Sequence, residues 1–209
     1  MDKNQMQNLW NYFLSLEQDL SNTSRYVEPQ GQENVYSFEF AKLIILASTE
    51  AEATFKALCK VLDGNEYGLI GKYKEIILTN YPQITEAEVF ISRLNKAIKP
   101  FEEWKNGQLS WWNDYNIVKH SREIHFQKAT YNNAVFALAG LYILILYLSK
   151  LTQIAIDDSK SEYFSSNYTS VYLTAKSETP LPGFDRDMNT SGITYNGNTT
   201  IINCGLAEE

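Results

Sequence analysis

The sequence predicts an all-α protein, an up-and-down bundle of five or six helices followed by a small polar C-terminal extension that carries a β-hairpin signal. Three observations predict it. Apolar residues recur at helical spacing through most of the first 157 residues. The long stretch from Asn34 to Leu62 holds no Gly or Pro. Beyond Asp157 the composition turns abruptly to Ser, Thr, Asn and Tyr. The expected division is residues 1–157 for the bundle and 158–209 for the extension.

The first helix is expected from about Gln5 to Leu20, where Leu9, Phe13, Leu16 and Leu20 share a face. Pro29 and Gly31 mark a connection. Asn34 to Leu62 then reads as the longest helix, stopped by Asp63-Gly64-Asn65. A shorter helix covers Leu69 to Leu78. Thr85 and Glu88 stand in capping-box spacing, which predicts another helix through Val89, Phe90, Ile91 and Leu94 toward Ile98, ended by Pro100. Residues 101–107 read as a short helical turn and a loop. Ser110 is the expected cap of the next helix, and Tyr131 to Thr152 forms the last, the two being either continuous or broken near Thr130. In the extension, Ser170 to Thr174 and Gly192 to Ile202 are candidate strands, with Asn196-Gly197 as a hairpin turn. Partial disorder is the alternative for this segment.

A chain of 209 residues can bury a core of its own. Its net charge of −7 argues against a broad nucleic-acid-coating surface, which needs many Lys and Arg on phosphates, and leaves room for a local basic site. Cys59 and Cys204 offer neither a disulfide framework nor metal-ligand spacing, so no metal and no cofactor is expected, and a cytoplasmic location fits. Met1-Asp2-Lys3-Asn4-Gln5 lacks the basic start and apolar run of a signal peptide. Ala134 to Leu148 is uncharged but shorter than the ~20 residues of a membrane span, which predicts a buried bundle helix and no membrane partner.

Chemistry has few places to reside, because the chain has two histidines and four arginines. Asn113 to Arg122 holds one of each. On a continuous helix Trp111, Tyr115, Val118, Arg122, Phe126 and Ala129 fall on one face, which points Arg122 into the bundle and calls for a carboxylate on a facing helix. Glu50 and Glu52 flank the apolar stripe of the longest helix, and Glu50 is preferred. Asn116 and His120 lie one turn apart, so their side chains can meet, with Glu123 close by. His is the side chain that exchanges a proton near neutral pH, and Lys119 is the nearest exposed cation. A metal-free RNA-cleaving site can be assembled from such parts, with His as acid or base and Arg or Lys on developing charge. The structural alternative has Asn116 and His120 bracing helix packing and Arg122 in a buried ion pair. His125 belongs at the bundle edge. Trp104, Trp111 and Trp112 are read as core in preference to base-stacking platforms. The sequence has no Gly-rich phosphate loop, HExxH pair or nucleophile elbow.

With these residues in view, the chain resembles the HEPN superfamily of helical nucleotide-binding domains common in bacterial defence and toxin–antitoxin systems. The resemblance covers roughly residues 34–150. It rests on Ser48-Thr49-Glu50-Ala51-Glu52, Phe55-Lys56-Ala57-Leu58-Cys59, Pro100-Phe101-Glu102-Glu103-Trp104, the run from Trp112 to Arg122, then Phe126, Ala129, Asn133 and Ala137-Leu138-Ala139-Gly140-Leu141. The active family motif is an Arg, usually followed by a polar residue, with a His four to six residues after the Arg. Here Asn116 holds the polar position, Tyr115 stands where the Arg belongs, and Arg122 stands where many members have a Tyr, so Arg and Tyr are exchanged about His120. The resemblance implies a homodimer acting on RNA or nucleotide in defence or stress. Its catalytic version has His120 as acid/base, Asn116 orienting it, Lys119 or Arg122 on phosphate charge and Glu50 positioning the Arg. The other version is a non-catalytic module binding nucleotide, RNA or a protein partner. A further expectation is that the C-terminal extension contacts a protein partner by adding a strand.

Overall fold

The computed structural model describes residues 1–165. Its class is the expected one, all-α, with five α-helices among the described residues and a small three-stranded sheet at one end. Helix α1 (Lys3–Thr23) opens with a reciprocal cap in which the Asp2 carboxylate accepts the Gln5 N–H and the Gln5 side chain accepts the Asp2 N–H, each at 2.8 Å. Helix α2 (Phe38–Asp63) starts at Ser37, whose hydroxyl caps the Phe40 N–H. The expected start at Asn34 is corrected because Tyr36 bridges Thr130 in antiparallel fashion, which holds residues 34–36 out of the helix. Gly64, at φ 83°, ends α2 in the left-handed conformation that glycine adopts without strain. Helix α3 (Ile70–Asn80) follows.

The helix expected from Thr85 to Ile98 is not there. A 3₁₀ turn over Pro82–Glu86 leads instead into a hairpin of β1 (Val89–Ile91) and β2 (Lys96–Ile98), paired Val89 to Ile98 and Ile91 to Lys96. The Thr85 hydroxyl donates back to the Pro82 carbonyl at 3.1 Å, so it closes the turn rather than capping a helix. Val89 and Ile91 point inward and Phe90 outward, a period of two that suits branched and aromatic side chains on a pleated strand. Asn95 makes the reversal at φ 46°.

Helices α4 (Ser110–His125) and α5 (Tyr131–Thr152) are separate, divided by a 3₁₀ turn over Phe126–Lys128 and by Thr130, whose hydroxyl caps the Asn133 N–H. No side chain caps α4 from Ser110; its N–H is taken by the Glu103 carboxylate seven residues upstream. Helix α5 is 22 residues long and apolar enough to span a bilayer, and 78% of its most apolar window is buried inside the bundle. Trp104, Trp111 and Trp112 are core, as expected, in an aromatic cluster with Phe55, Tyr73 and Phe101. Trp111 lies directly on Gly140 of α5 and donates its indole N–H to the Pro100 carbonyl at 2.8 Å.

Past Asp157 the chain stays with the bundle through Ser165. Strand β3 (Phe164–Ser165) adds antiparallel to β1, giving the order β2-β1-β3. Phe164 is buried beside Phe13 and Tyr142, and the Tyr163 hydroxyl bonds that of Tyr131. Glu17 of α1, itself buried, fastens this segment: its carboxylate accepts the Ser161 hydroxyl and the N–H groups of Tyr163 (3.0 Å) and Phe164 (3.1 Å). A buried carboxylate is tolerated here because every donor it needs arrives with one short stretch of backbone. The candidate strands at 170–174 and 192–202 and the Asn196-Gly197 turn lie outside the described residues.

Two substitutions test this packing. Glu17→Ala strands buried N–H groups and is expected to cost about 3 kcal/mol in urea unfolding, with the m-value unchanged. A Cβ at Gly140 would stand 2.8 Å from the Trp111 ring. Gly140→Ala is therefore expected to lower the melting temperature, because overpacking costs about 1–3 kcal/mol and exceeds the ~1 kcal/mol of helix propensity gained.

Candidate functional site

The central stretch is helical up to His120, and its continuity fails at Ser121, whose φ of −144° and ψ of 34° lie outside the helical region. Ser is a poor interior helix residue because its hydroxyl competes for backbone partners. The kink turns the last residues of α4 away from the face that Trp111, Tyr115 and Val118 bury. Arg122 is exposed as a result, and its guanidinium lies over the Phe38 ring at 6.0 Å from the centroid. The expectation that Arg122 points into the bundle toward Glu50 is thus corrected. Glu50 sits twelve residues beyond Phe38 on α2, about 18 Å along the helix, so the two cannot pair in one chain.

The other predicted residues are placed as follows. His120 is exposed and has no hydrogen-bond or ion-pair partner among the described residues. Asn116 does not orient it; the Asn116 amide donates at 2.9 Å to the Trp112 carbonyl of its own helix. Lys119 is exposed, bonds the Tyr115 hydroxyl at 3.1 Å and is raised above the ordinary lysine value by that bond. It is a cation throughout the neutral range. Glu50 is half-buried in the groove between α1 and α2, and burial alone pushes its carboxyl above the ordinary range. Lys119, His120 and Arg122 are therefore exposed on the last turns of α4, Asn116 is half-buried one turn before His120, and Glu50 is in the groove between α1 and α2. No acid–base pair is assembled among them. Among the described residues no group of His, Cys, Asp and Glu side chains is arranged to hold a metal ion.

What the structure adds to this region is aromatic. The rings of Tyr36 and Phe38, at the entrance to α2, both meet Phe126, with centroids 5.3 and 4.6 Å away. Phe38 is 73% exposed, Ile124 71% and Tyr36 50%. Tyr36, Phe38 and Phe126 thus form a contiguous, partly exposed aromatic cluster beside the Arg122 guanidinium. A polar brace holds it in place: Asp114 pairs with Lys128 at 3.1 Å and accepts the Asn133 amide at 2.8 Å, while the same amide donates to the Lys128 carbonyl. Tyr36 and Phe38 escape a reading of the stretch around His120 because nothing local links them to it, while Phe126, expected on the inward face with Arg122, lies half-buried against their rings. The one available signal is the alternation Tyr36, Phe38, Phe40 across a helix entrance, of which only Phe40 is buried.

No family model, no curated protein and no solved structure matches this chain.

The position of Glu50 has a pH consequence. Its folded-state pKa is raised above 4.5, so the ionised form carries a desolvation cost that the unfolded chain lacks. That cost is absent below the unfolded value, grows as pH rises from there to the folded one, and is fully present above it. Glu50→Gln is expected to be more stable than wild type at pH 7, with the difference shrinking toward zero near pH 4 in parallel urea titrations.

Proposed function

We propose that this chain is a HEPN-like binding module that holds single-stranded RNA or nucleotide on the surface formed by Tyr36, Phe38, Phe126 and Arg122, and that a single chain is not a self-sufficient ribonuclease. The observation that carries the reading is the exposed Phe38 ring with the Arg122 guanidinium over it. Aromatic faces stack bases of any sequence and cations track the phosphates. The Arg122 guanidinium supplies a positive group at the rings in a protein whose net charge is −7. Phe126 packs at a tilt against Phe38 and is itself met edge-on by Tyr36, so the platform is ordered before a base arrives.

The catalytic reading has one observation in its favour. His120 and Arg122 are both exposed and unengaged by any carboxylate, so a second copy can approach them. A homodimer in the cytoplasm, without membrane contact and with a protein partner bound through the extension, is the setting that either version of the proposal takes.

Fluorescence anisotropy with a short labelled single-stranded RNA tests the binding reading. Phe38→Ala and Arg122→Ala are each expected to weaken binding about tenfold, the loss of one stacked base or one phosphate contact, with melting temperatures unchanged because both side chains are exposed. Affinity unaffected by either substitution would sink it. The companion assay is RNA cleavage in EDTA by wild type and His120→Ala, where the expected result is no cleavage by either. Cleavage by wild type that His120→Ala abolishes, at equal helicity, would instead establish a site completed between copies.

A further inference from the structure

A groove of about 700 Å³ runs between α1 and α2, well away from the aromatic surface. Its floor is apolar, made by Leu9 of α1 and by Ala53 and Ala57, one turn apart on α2. Small side chains at these two positions leave the space between the helices unfilled. Tyr12 and Thr54 add hydroxyls, the latter already donating to the Glu50 carbonyl at 2.7 Å. The volume lies within the ~300–1,000 Å³ of small-molecule sites, and the exposed lining is more apolar than polar, with Glu50, Lys56, Lys60 and Glu66 as its charged side chains.

Of these, Glu50 decides the ligand. Two lysines reach the groove, and both are engaged: Lys56 with Glu52 at 2.8 Å and Lys60 with Glu66 at 2.7 Å. The Glu50 side chain has no hydrogen-bond or ion-pair partner among the described residues, although it is partly withdrawn from water. A carboxylate held at the edge of an apolar floor without a cation is complementary to a ligand that brings one.

We infer that this groove is a binding site for a small amphipathic organic cation, whose ammonium or guanidinium group pairs with Glu50 and whose apolar body lies along Leu9, Ala53 and Ala57. A free anion is disfavoured by Glu50, and a neutral apolar molecule leaves the carboxylate desolvated and unpaired. Tyr12 flanks the carboxylate and offers a ring face or hydroxyl to the same cation. This site stands apart from the RNA reading: it lies further along α2, shares no residue with the aromatic surface, and neither result depends on the other.

The test is a titration of the full chain with three probes of one body and different heads: n-hexylammonium, hexanol and hexanoate. The readout is the NMR signals of the Ala53 and Ala57 methyl groups. Saturable shifts are expected with hexylammonium, at least about tenfold weaker ones with hexanol, and none with hexanoate. Glu50→Gln is expected to reduce hexylammonium to the level of hexanol while circular dichroism and the rest of the spectrum stay unchanged. Equal binding of all three probes would mean unselective apolar adsorption and overturn the inference, as would hexylammonium binding that Glu50→Gln leaves intact or an absence of saturable shifts. Saturation of the same signals by a lysine-rich peptide alone would replace the small cation with a protein partner.

Discussion

Helix α5 has almost no solvated face, and that constraint arranges the rest of the chain. Fifteen of its 22 residues are buried, and from Ala137 to Leu148 they include every residue on every side. A helix that is apolar all round cannot be covered by one neighbour. Helix α1 brings Trp10 and Phe13 against Tyr142, Tyr81 comes over Tyr147, Phe164 returns from beyond the helix to close on Tyr142, and α4 lays the Trp111 ring on the bare backbone of Gly140. This accounts for the short third strand, since the cover is incomplete without Phe164. It also accounts for where function can reside. The bundle interior is filled with rings and aliphatic chains, so among the described residues polar chemistry is left to the surface.

Much of this was legible because helical periodicity is local. Each of the five helices follows from spacing that a few turns of sequence display, and the buried tryptophans follow from their positions on those turns. The hairpin at 89–98 was misread for a matching reason. Thr85 and Glu88 carry the spacing of a cap, but Val89-Phe90-Ile91 is too short a run for periodicity to separate strand from helix, and the deciding partner, β3, comes from more than seventy residues downstream. Local spacing cannot see a pairing of that range.

The site was legible in its residue types and not in its geometry. Reading Arg122 as inward assumes that the phase of α4 survives from Trp111 onward, and one nonhelical residue, Ser121, removes that phase. The aromatic surface was hidden more deeply. Tyr36 and Phe38 come from the entrance of one helix and Phe126 from the exit of another, about ninety residues later, and what joins them is backbone pairing of Tyr36 with Thr130, together with N–H bonds from Ser37 to Ala129 and from Tyr131 to Val35. Contacts made by main chain leave no trace in side-chain pattern.

Glu17 and Glu50 show how far a carboxylate's role is fixed by the donors that reach it rather than by its depth. Glu17 is the more deeply buried of the two, yet its oxygens receive a hydroxyl and backbone N–H groups from one returning segment, which leaves little capacity to bind anything else. Glu50 is shallower, lies on a helix whose neighbouring lysines are already paired, and receives nothing among the described residues. Removing Glu17 opens the fold, because its partners are buried with it. Removing Glu50 relieves a cost. A carboxylate that burial disfavours, at a groove whose small side chains leave it unfilled, is suited to holding a cation rather than to supporting the fold.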